Sequence, residues 1–230
     1  MKIKSGIYSL VVMVMLLMLT NSCKKDNNNN IPATVTDTDG NVYHTVKIGT
    51  QVWMVENLKT TKYRNGDPIP NIQDDAFYTQ VNGAYCDYDN DPSNSAIYGR
   101  LYNWPAVNDN RNIAPLGWHV PTDAEWSTLT YFLADDYVES VAGGKLKEAG
   151  TSHWLSPNTG ATNSTGFTAL PNGSTDGFRF KSMGEWAEFW TSTAYAGRTA
   201  YVRYIRNVDS EVGRTYWSTS NGLSVRCIKD

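Results

Sequence analysis

Charge is sparse in this 230-residue chain: Asp, Glu, Lys and Arg make up 19% of it, and the formal net charge is −3. No basic stripe breaks that balance, which excludes the electrostatic footprint of a nucleic-acid partner. Histidine and cysteine number three each. His44, His119 and His153 are scattered, and none stands beside an obvious nucleophile in the sequence. No segment recurs at the ~20–50-residue periods of solenoids and propellers, so those architectures are excluded. The one long apolar run, Ile7 to Leu19, falls short of the ~20 residues that cross a bilayer. What the chain has instead is aromatic bulk, 12% of residues with 8 Trp and 14 Tyr, together with 18 Gly. Many Asn and Thr in short alternating runs complete the pattern of a loop-rich fold containing β-strands.

The apolar run is preceded by Lys2 and Lys4 and followed by Thr20-Asn21-Ser22-Cys23. A basic start, a short apolar core and small residues before the boundary are the marks of an export signal. The segment resembles a bacterial lipoprotein signal with Cys23 as the lipidated residue, although Thr20 stands where that signal usually has Leu. The resemblance implies cleavage after residue 22 and several acyl chains on Cys23; two or more make membrane anchoring stable. Lys24-Lys25-Asp26 and the run Asn27 to Asn30 cannot bury apolar area and predict a flexible tether. Lys-Lys-Asp in that place also looks like the export signal of Bacteroidetes surface lipoproteins, which implies the outer membrane with the domain facing outward. The expected organisation is a signal over 1–22, a lipidated cysteine and polar tether over 23–35, and one globular domain over 36–230.

Within the domain the clearest local signal is Gly117-Trp118-His119-Val120-Pro121-Thr122-Asp123-Ala124-Glu125-Trp126. Pro121 keeps Val120 extended. Thr122 is a good N-cap and Glu125 follows three residues later, the spacing of a capping box. Trp126, Leu129 and Leu133 then recur at helical spacing, predicting a docked helix from Asp123 to Ala134. Val42 to Ile48 and Gln51 to Leu58 alternate on either side of Gly49-Thr50 and predict a hairpin. Strands are also expected over Gly83 to Tyr88, Glu188 to Tyr195, Ala200 to Val208 and Leu223 to Ile228. A turn with a short helix is expected over Val141 to Gly150, and surface loops over 150–177.

Several stretches together resemble a known family: Gly40-Asn41-Val42-Tyr43, Gln51-Val52-Trp53-Met54, Glu56-Asn57-Leu58, Tyr98-Gly99 followed by Leu101-Tyr102-Asn103-Trp104, Gly117 to Trp126, Gly144-Lys145-Leu146-Lys147-Glu148, Gly166-Phe167-Thr168-Ala169-Leu170-Pro171 and Ser224-Val225-Arg226-Cys227. The chain from Thr36 to Lys229 is similar to the Fibrobacter succinogenes major paralogous domain. That family is similar in turn to the C-type-lectin-like fold of formylglycine-generating enzymes. The resemblance implies an α+β, C-type-lectin-like domain of short antiparallel strands with one or two docked helices. It also implies a secreted or surface-anchored protein with no settled activity. The family commonly carries a Cys shortly before Gly-Trp-His; Asn112 to Pro115 holds none here.

Cys86 and Cys227 are then the only thiols of the domain. In an exported chain two thiols predict a structural disulfide, with two buried free thiols as the other reading. Asp87-x-Asp89-x-Asp91, followed by Ser93 and Ser95, supplies the hard oxygen ligands of a calcium loop; a solvated Asp/Asn turn is the plainer reading. Trp104, Trp154, Trp186 and Trp217 are candidates to stack on sugar rings, whereas Trp53 and Trp126 belong to the core. These features predict a non-enzymatic surface lipoprotein that binds a glycan or a protein partner and needs no cofactor, calcium aside. The alternative is an envelope hydrolase or oxidase built on the same loops. Histidine clustered with carboxylates in a pocket would mark the enzyme; aromatics open to a shallow face would mark the binder.

Overall fold

The computed structural model describes residues 32–73, 75–134 and 141–230. Cys23, the export signal and the first part of the tether lie outside the described residues. The described part mixes mostly antiparallel strands in curled sheets with a few short helices. Among the described residues no helix is long and apolar enough to cross a membrane.

The largest sheet has the order β1 (Thr34–Thr36), β2 (Val42–Ile48), β3 (Gln51–Met54), β12 (Ile228–Lys229), β6 (Trp118–His119). The β2–β3 hairpin closes at Ile48↔Gln51, with Gly49 at φ 60° where a β-carbon would strain the turn. β3 stops four residues earlier than the alternation predicts. The backbone beyond Met54 leaves the hairpin because it has another partner: Leu58 N–H donates to Val225 O at 2.8 Å. A second sheet has the order β11 (Gly213–Ser218), β10 (Thr199–Arg206), β9 (Trp186–Ala194). Two small ladders, β4 (Tyr85–Cys86) with β5 (Leu101–Tyr102) and β7 (Asn172–Thr175) with β8 (Phe180–Met183), complete the β structure.

The β9–β10 pair is buried on both faces. Trp190 and Val202 enter one apolar cluster with Tyr43, Met54, Tyr102 and Val225. Phe189 and Ile205 enter a second with Trp53, Trp126, Leu129, Leu133 and Phe167. The Asp123–Leu133 helix lies on that second side, one residue shorter than expected. Its capping box is complete: Thr122 Oγ1 accepts from Glu125 N–H at 3.2 Å, and Glu125 Oε2 accepts from Thr122 N–H at 2.7 Å. Trp126 packs against Trp53 with ring centres 4.9 Å apart and against Phe189 at 5.4 Å. Such aromatic pairs add about 0.5–1.5 kcal/mol each beyond their burial. Asp123 does more than complement the helix dipole: its carboxylate is shared by Arg203 at 2.7 Å and Arg214 at 2.9 Å, which ties the helix start across β10 and β11.

The stretch Leu223 to Ile228, expected as a closing strand, is instead the buried axis of the domain. Leu223 exchanges backbone bonds with Tyr102, Ser224 O accepts from Trp190, Val225 O from Leu58 and Cys227 O from Met54. Each residue thus binds a different element, and only Ile228–Lys229 forms a ladder. β11 and β7 were not legible in the sequence. β11 reads Arg-Thr-Tyr-Trp with no apolar alternation because it is an edge strand. β7 reads Asn-Gly-Ser-Thr, a turn composition, yet all four residues are buried.

Candidate functional site

The expected Cys86–Cys227 disulfide is corrected by the structure: both are buried free thiols. Cys86 sits in a third apolar cluster with Phe77, Tyr88 and Leu101, and Cys227 in the first, so each packs as a small apolar residue in its own core. Burial pushes both thiols up, away from thiolate reactivity.

Asp87, Asp89 and Asp91 do three different things. Asp87 is buried, accepts from Ser95 Oγ, and pairs with Arg100 at 3.3 Å. Asp91 caps the Pro92–Tyr98 helix by accepting from Ser93 N–H at 2.9 Å, and that bond holds its carboxyl below the usual range. Asp89 occupies a left-handed turn position at φ 54° and is exposed. Among the described residues no three His, Cys, Asp or Glu side chains are grouped as metal ligands.

The four candidate tryptophans also part company. Trp154 is 1% exposed, with Nε1 donating to Ala169 O at 3.0 Å, so its faces are closed to a ligand. Trp186 lies on Tyr204 with ring centres 5.0 Å apart. Trp217 packs on the first core cluster, and the Lys181 ammonium stands 5.1 Å from its ring. Trp104 is different: its half-buried ring lines an open cleft of about 620 Å³.

That cleft is built by close local chemistry. Asn103 caps the Trp104–Val107 helix, its Oδ1 accepting from Ala106 N–H at 3.2 Å and from Ala84 N–H at 2.8 Å. Its Nδ2 donates to Asn82 O at 2.8 Å, so one side chain ties the 82–84 loop to the helix start. Gly83 permits the approach, since a β-carbon there would stand 2.0 Å from Tyr63 Oη and 2.9 Å from Ala106 Cα. Trp104 is itself fixed: Nε1 donates to Thr191 O and the backbone N–H to Thr219 O, both at 3.0 Å. On the far side Arg111 holds Asp109 through Nε at 2.9 Å and Nη2 at 2.8 Å and stacks 3.9 Å over the Tyr63 ring. Arg111 keeps the Asp109 carboxyl below the usual range. The amide side chains of Asn82, Asn108 and Asn110 and the guanidinium of Arg198 line the same cleft. None of the four makes a side-chain bond within the described residues. Sequence reasoning found Trp104 but not these amides. Their signal was two Asn-bearing turns, 81–83 and 108–112, whose convergence is a tertiary fact.

A second cleft, of about 340 Å³, adjoins the first and shares Asn108, Asp109 and Asn110 with it. Its far wall carries Ser192 and His119. His119 bridges two carboxylates, Nδ1 to Asp230 Oδ1 at 2.7 Å and Nε2 to Glu125 Oε1 at 2.9 Å. The remaining histidines make surface pairs, His44 with Glu56 at 2.7 Å and His153 with Glu148 at 2.9 Å.

Partial burial draws His119 down, but the bonds to Asp230 and Glu125 outweigh it and its pKa stands above the ordinary 6.5. Partial burial raises Glu125, and the Thr122 and His119 bonds outweigh it, so its pKa stands below 4.5. The sign follows from linkage. The histidine contribution is complete below 6.5 and is lost as pH rises through the raised folded value. The glutamate contribution is complete above 4.5 and is lost as pH falls through the lowered folded value. The stability difference between wild type and His119→Gln should therefore be largest between those two ordinary values and shrink on the alkaline side. Melting midpoints across pH check this; a difference that grows above neutrality refutes the bridge.

The family model of the Fibrobacter succinogenes major domain matches residues 46–229, most of the chain. The chain belongs to that family. No curated protein and no solved structure matches it. Within this member the sequence stretches of the family resemblance meet physically. Arg226 of Ser224-Val225-Arg226-Cys227 bonds Asn57 of Glu56-Asn57-Leu58 and the carbonyl of Phe167 in Gly166 to Pro171. The family pattern is in this respect a packing pattern, and the cleft residues stand largely outside it.

Proposed function

We propose that this family member is a non-catalytic, glycan-binding lipoprotein of the cell envelope, on a C-type-lectin-like scaffold. The observation that carries the reading is the fixed, half-exposed Trp104 ring beside three amides and an arginine whose side chains have no bonding partner among the described residues. A sugar ring offers an apolar C–H face to an indole and hydroxyls that both donate and accept. Asn side chains supply both functions at one centre, and the indole supplies the platform. No step of this recognition needs a metal.

Isothermal titration of the residue 31–230 fragment against glycans selected on an array tests it. Trp104→Ala should weaken binding by about tenfold or more, equivalent to about 1.4 kcal/mol, with a lowered melting midpoint because the ring packs on the first core cluster and bonds Thr191 O. Asn108→Ala, at an exposed position, should also weaken binding, with unchanged melting. Binding unaltered by both changes removes the cleft from the reading.

The enzyme alternative has two observations in its favour: His119 and Ser192 line the same small cleft, and His119 is clustered with the carboxylates of Asp230 and Glu125. Both imidazole nitrogens are already bonded to carboxylates, which leaves neither to take a proton from a nucleophile. The oxidase version needs reactive paired thiols, and Cys86 and Cys227 are buried in separate clusters. Binding is therefore the better supported reading.

Anchoring at Cys23 and outward display belong to the same proposal and rest on the N-terminal sequence. Cys23→Ala should move the protein from the membrane fraction to the soluble fraction; wild-type retention in membranes overturns the anchor.

A further inference from the structure

The two clefts flank one loop, and this geometry says something about the length of the ligand. Asn108, Asp109 and Asn110 line both. The loop is stiff, because Arg111 clamps Asp109 from the backbone and through two guanidinium nitrogens at 2.8–2.9 Å. Asn112, at φ 60°, fixes its exit by accepting from Ala114 N–H at 2.8 Å. The loop is thus a rigid divider that presents the Asn108 and Asn110 amides at the junction of the two clefts. Arg198 and Trp104 line only the larger cleft, and Ser192 and His119 only the smaller.

Resting on the glycan reading above, we propose that the two clefts are successive subsites of one groove, which takes an internal stretch of a linear polysaccharide rather than a single terminal sugar. The larger cleft holds one unit against Trp104. The next units cross the Asn108–Asn110 divider, whose amides bond their hydroxyls. The chain leaves over Ser192, beside His119 and the two carboxylates it bonds. Both clefts are open to solvent, as a chain passing through requires. A pocket for a chain end would instead be closed at one side.

Graded linear oligomers of glucose, xylose, mannose and galacturonate, from monomer to about hexamer, are titrated into the residue 31–230 fragment. For the sugar that binds, affinity should climb by about tenfold or more with length until both clefts are filled, then level off. Ser192→Trp, which fills the smaller cleft, should reduce the longer oligomers to the affinity of the shortest binder and leave that shortest binder unchanged. Affinity independent of length in the wild-type fragment overturns the extended groove while leaving the glycan reading intact. The wild-type series decides this even if Ser192→Trp fails to fold. Loss of length dependence is not the same as loss of binding: if no oligomer binds, or if Trp104→Ala binds as wild type does, the glycan reading itself falls and takes the groove with it.

Discussion

Replacing Arg226 with methionine is expected to lower the stability of the domain by about 3 kcal/mol. The guanidinium is 1% exposed. Its Nε and Nη2 donate to Asn57 Oδ1 at 2.9 and 2.6 Å, and Nη1 donates to Phe167 O at 2.6 Å. It also lies 4.4 Å from the centre of the Phe167 ring. Burial works against the charge and draws its pKa down to about 9, so removing the charge returns some free energy. The orphaned acceptors decide the sign. Asn57 is 3% exposed and Phe167 O lies inside, and each unsatisfied buried group costs about 1–3 kcal/mol. The lost ring contact adds to this. For a domain of this size the melting midpoint should fall by about 6–12 °C. A double-mutant cycle with Asn57→Ala isolates the bond: the two changes together should cost less than their sum. A variant as stable as wild type would mean that the acceptors find other partners.

Lys147→Met is expected to be similarly damaging, for a related reason at another place. Lys147 has no exposed surface. Its ammonium donates to three carbonyls, Thr159 O at 2.8 Å, Arg206 O at 3.0 Å and Asp209 O at 2.7 Å. Three acceptors for three hydrogens is a full complement. The side chain therefore pins the 156–162 loop to the 206–211 turn. Methionine matches the volume, so the loss is polar: three carbonyls without a donor, about 3 kcal/mol or more in all. Thr159 N–H still donates to Asn207 O, and the Asn207 side chain to Leu155 O and Ser156 O. The three orphaned carbonyls all lie at that seam, so opening should be local first and the variant should gain protease cleavage sites in 156–162 and 206–211 before the core unfolds. Cleavage spread evenly over the domain, or none beyond wild type, refutes the pin. Both predictions concern cations buried without a carboxylate partner, and backbone and amide oxygens compensate each of them.

Neither role could be read from the sequence, although both residues stand in stretches that carried the family resemblance. Arg226 and Asn57 are 169 positions apart, and Lys147 reaches a carbonyl 62 positions away. Sequence patterns report periodicity and local chemistry, and these bonds have neither. The same limit explains the cleft. Trp104 was legible as an aromatic available for stacking. The Asn82, Asn108 and Asn110 amides were ordinary turn residues until the Asn103 side chain drew the 82–84 loop onto the helix that leads into Asn108. The cysteines illustrate the opposite error: compartment and count argued for a bond, and the packing placed each thiol in a different core.

What the sequence determined by itself was whatever a short window encodes. The helix beginning at Asp123 is fixed by Pro121, Thr122, Glu125 and the Trp126–Leu129–Leu133 spacing, and β2 by its alternation up to Gly49; those signals act within about four residues and survive any tertiary context. Tertiary structure alone decided the rest. Leu223 to Ile228 became a buried axis because four strands and the backbone of Leu58 needed its backbone groups. Asp87 and Asp91 became an ion-pair partner and a helix cap because Arg100 and Ser93 were nearest. The amides beside Trp104 came to line a cleft because the chain there closes over Gly83, where no side chain could fit.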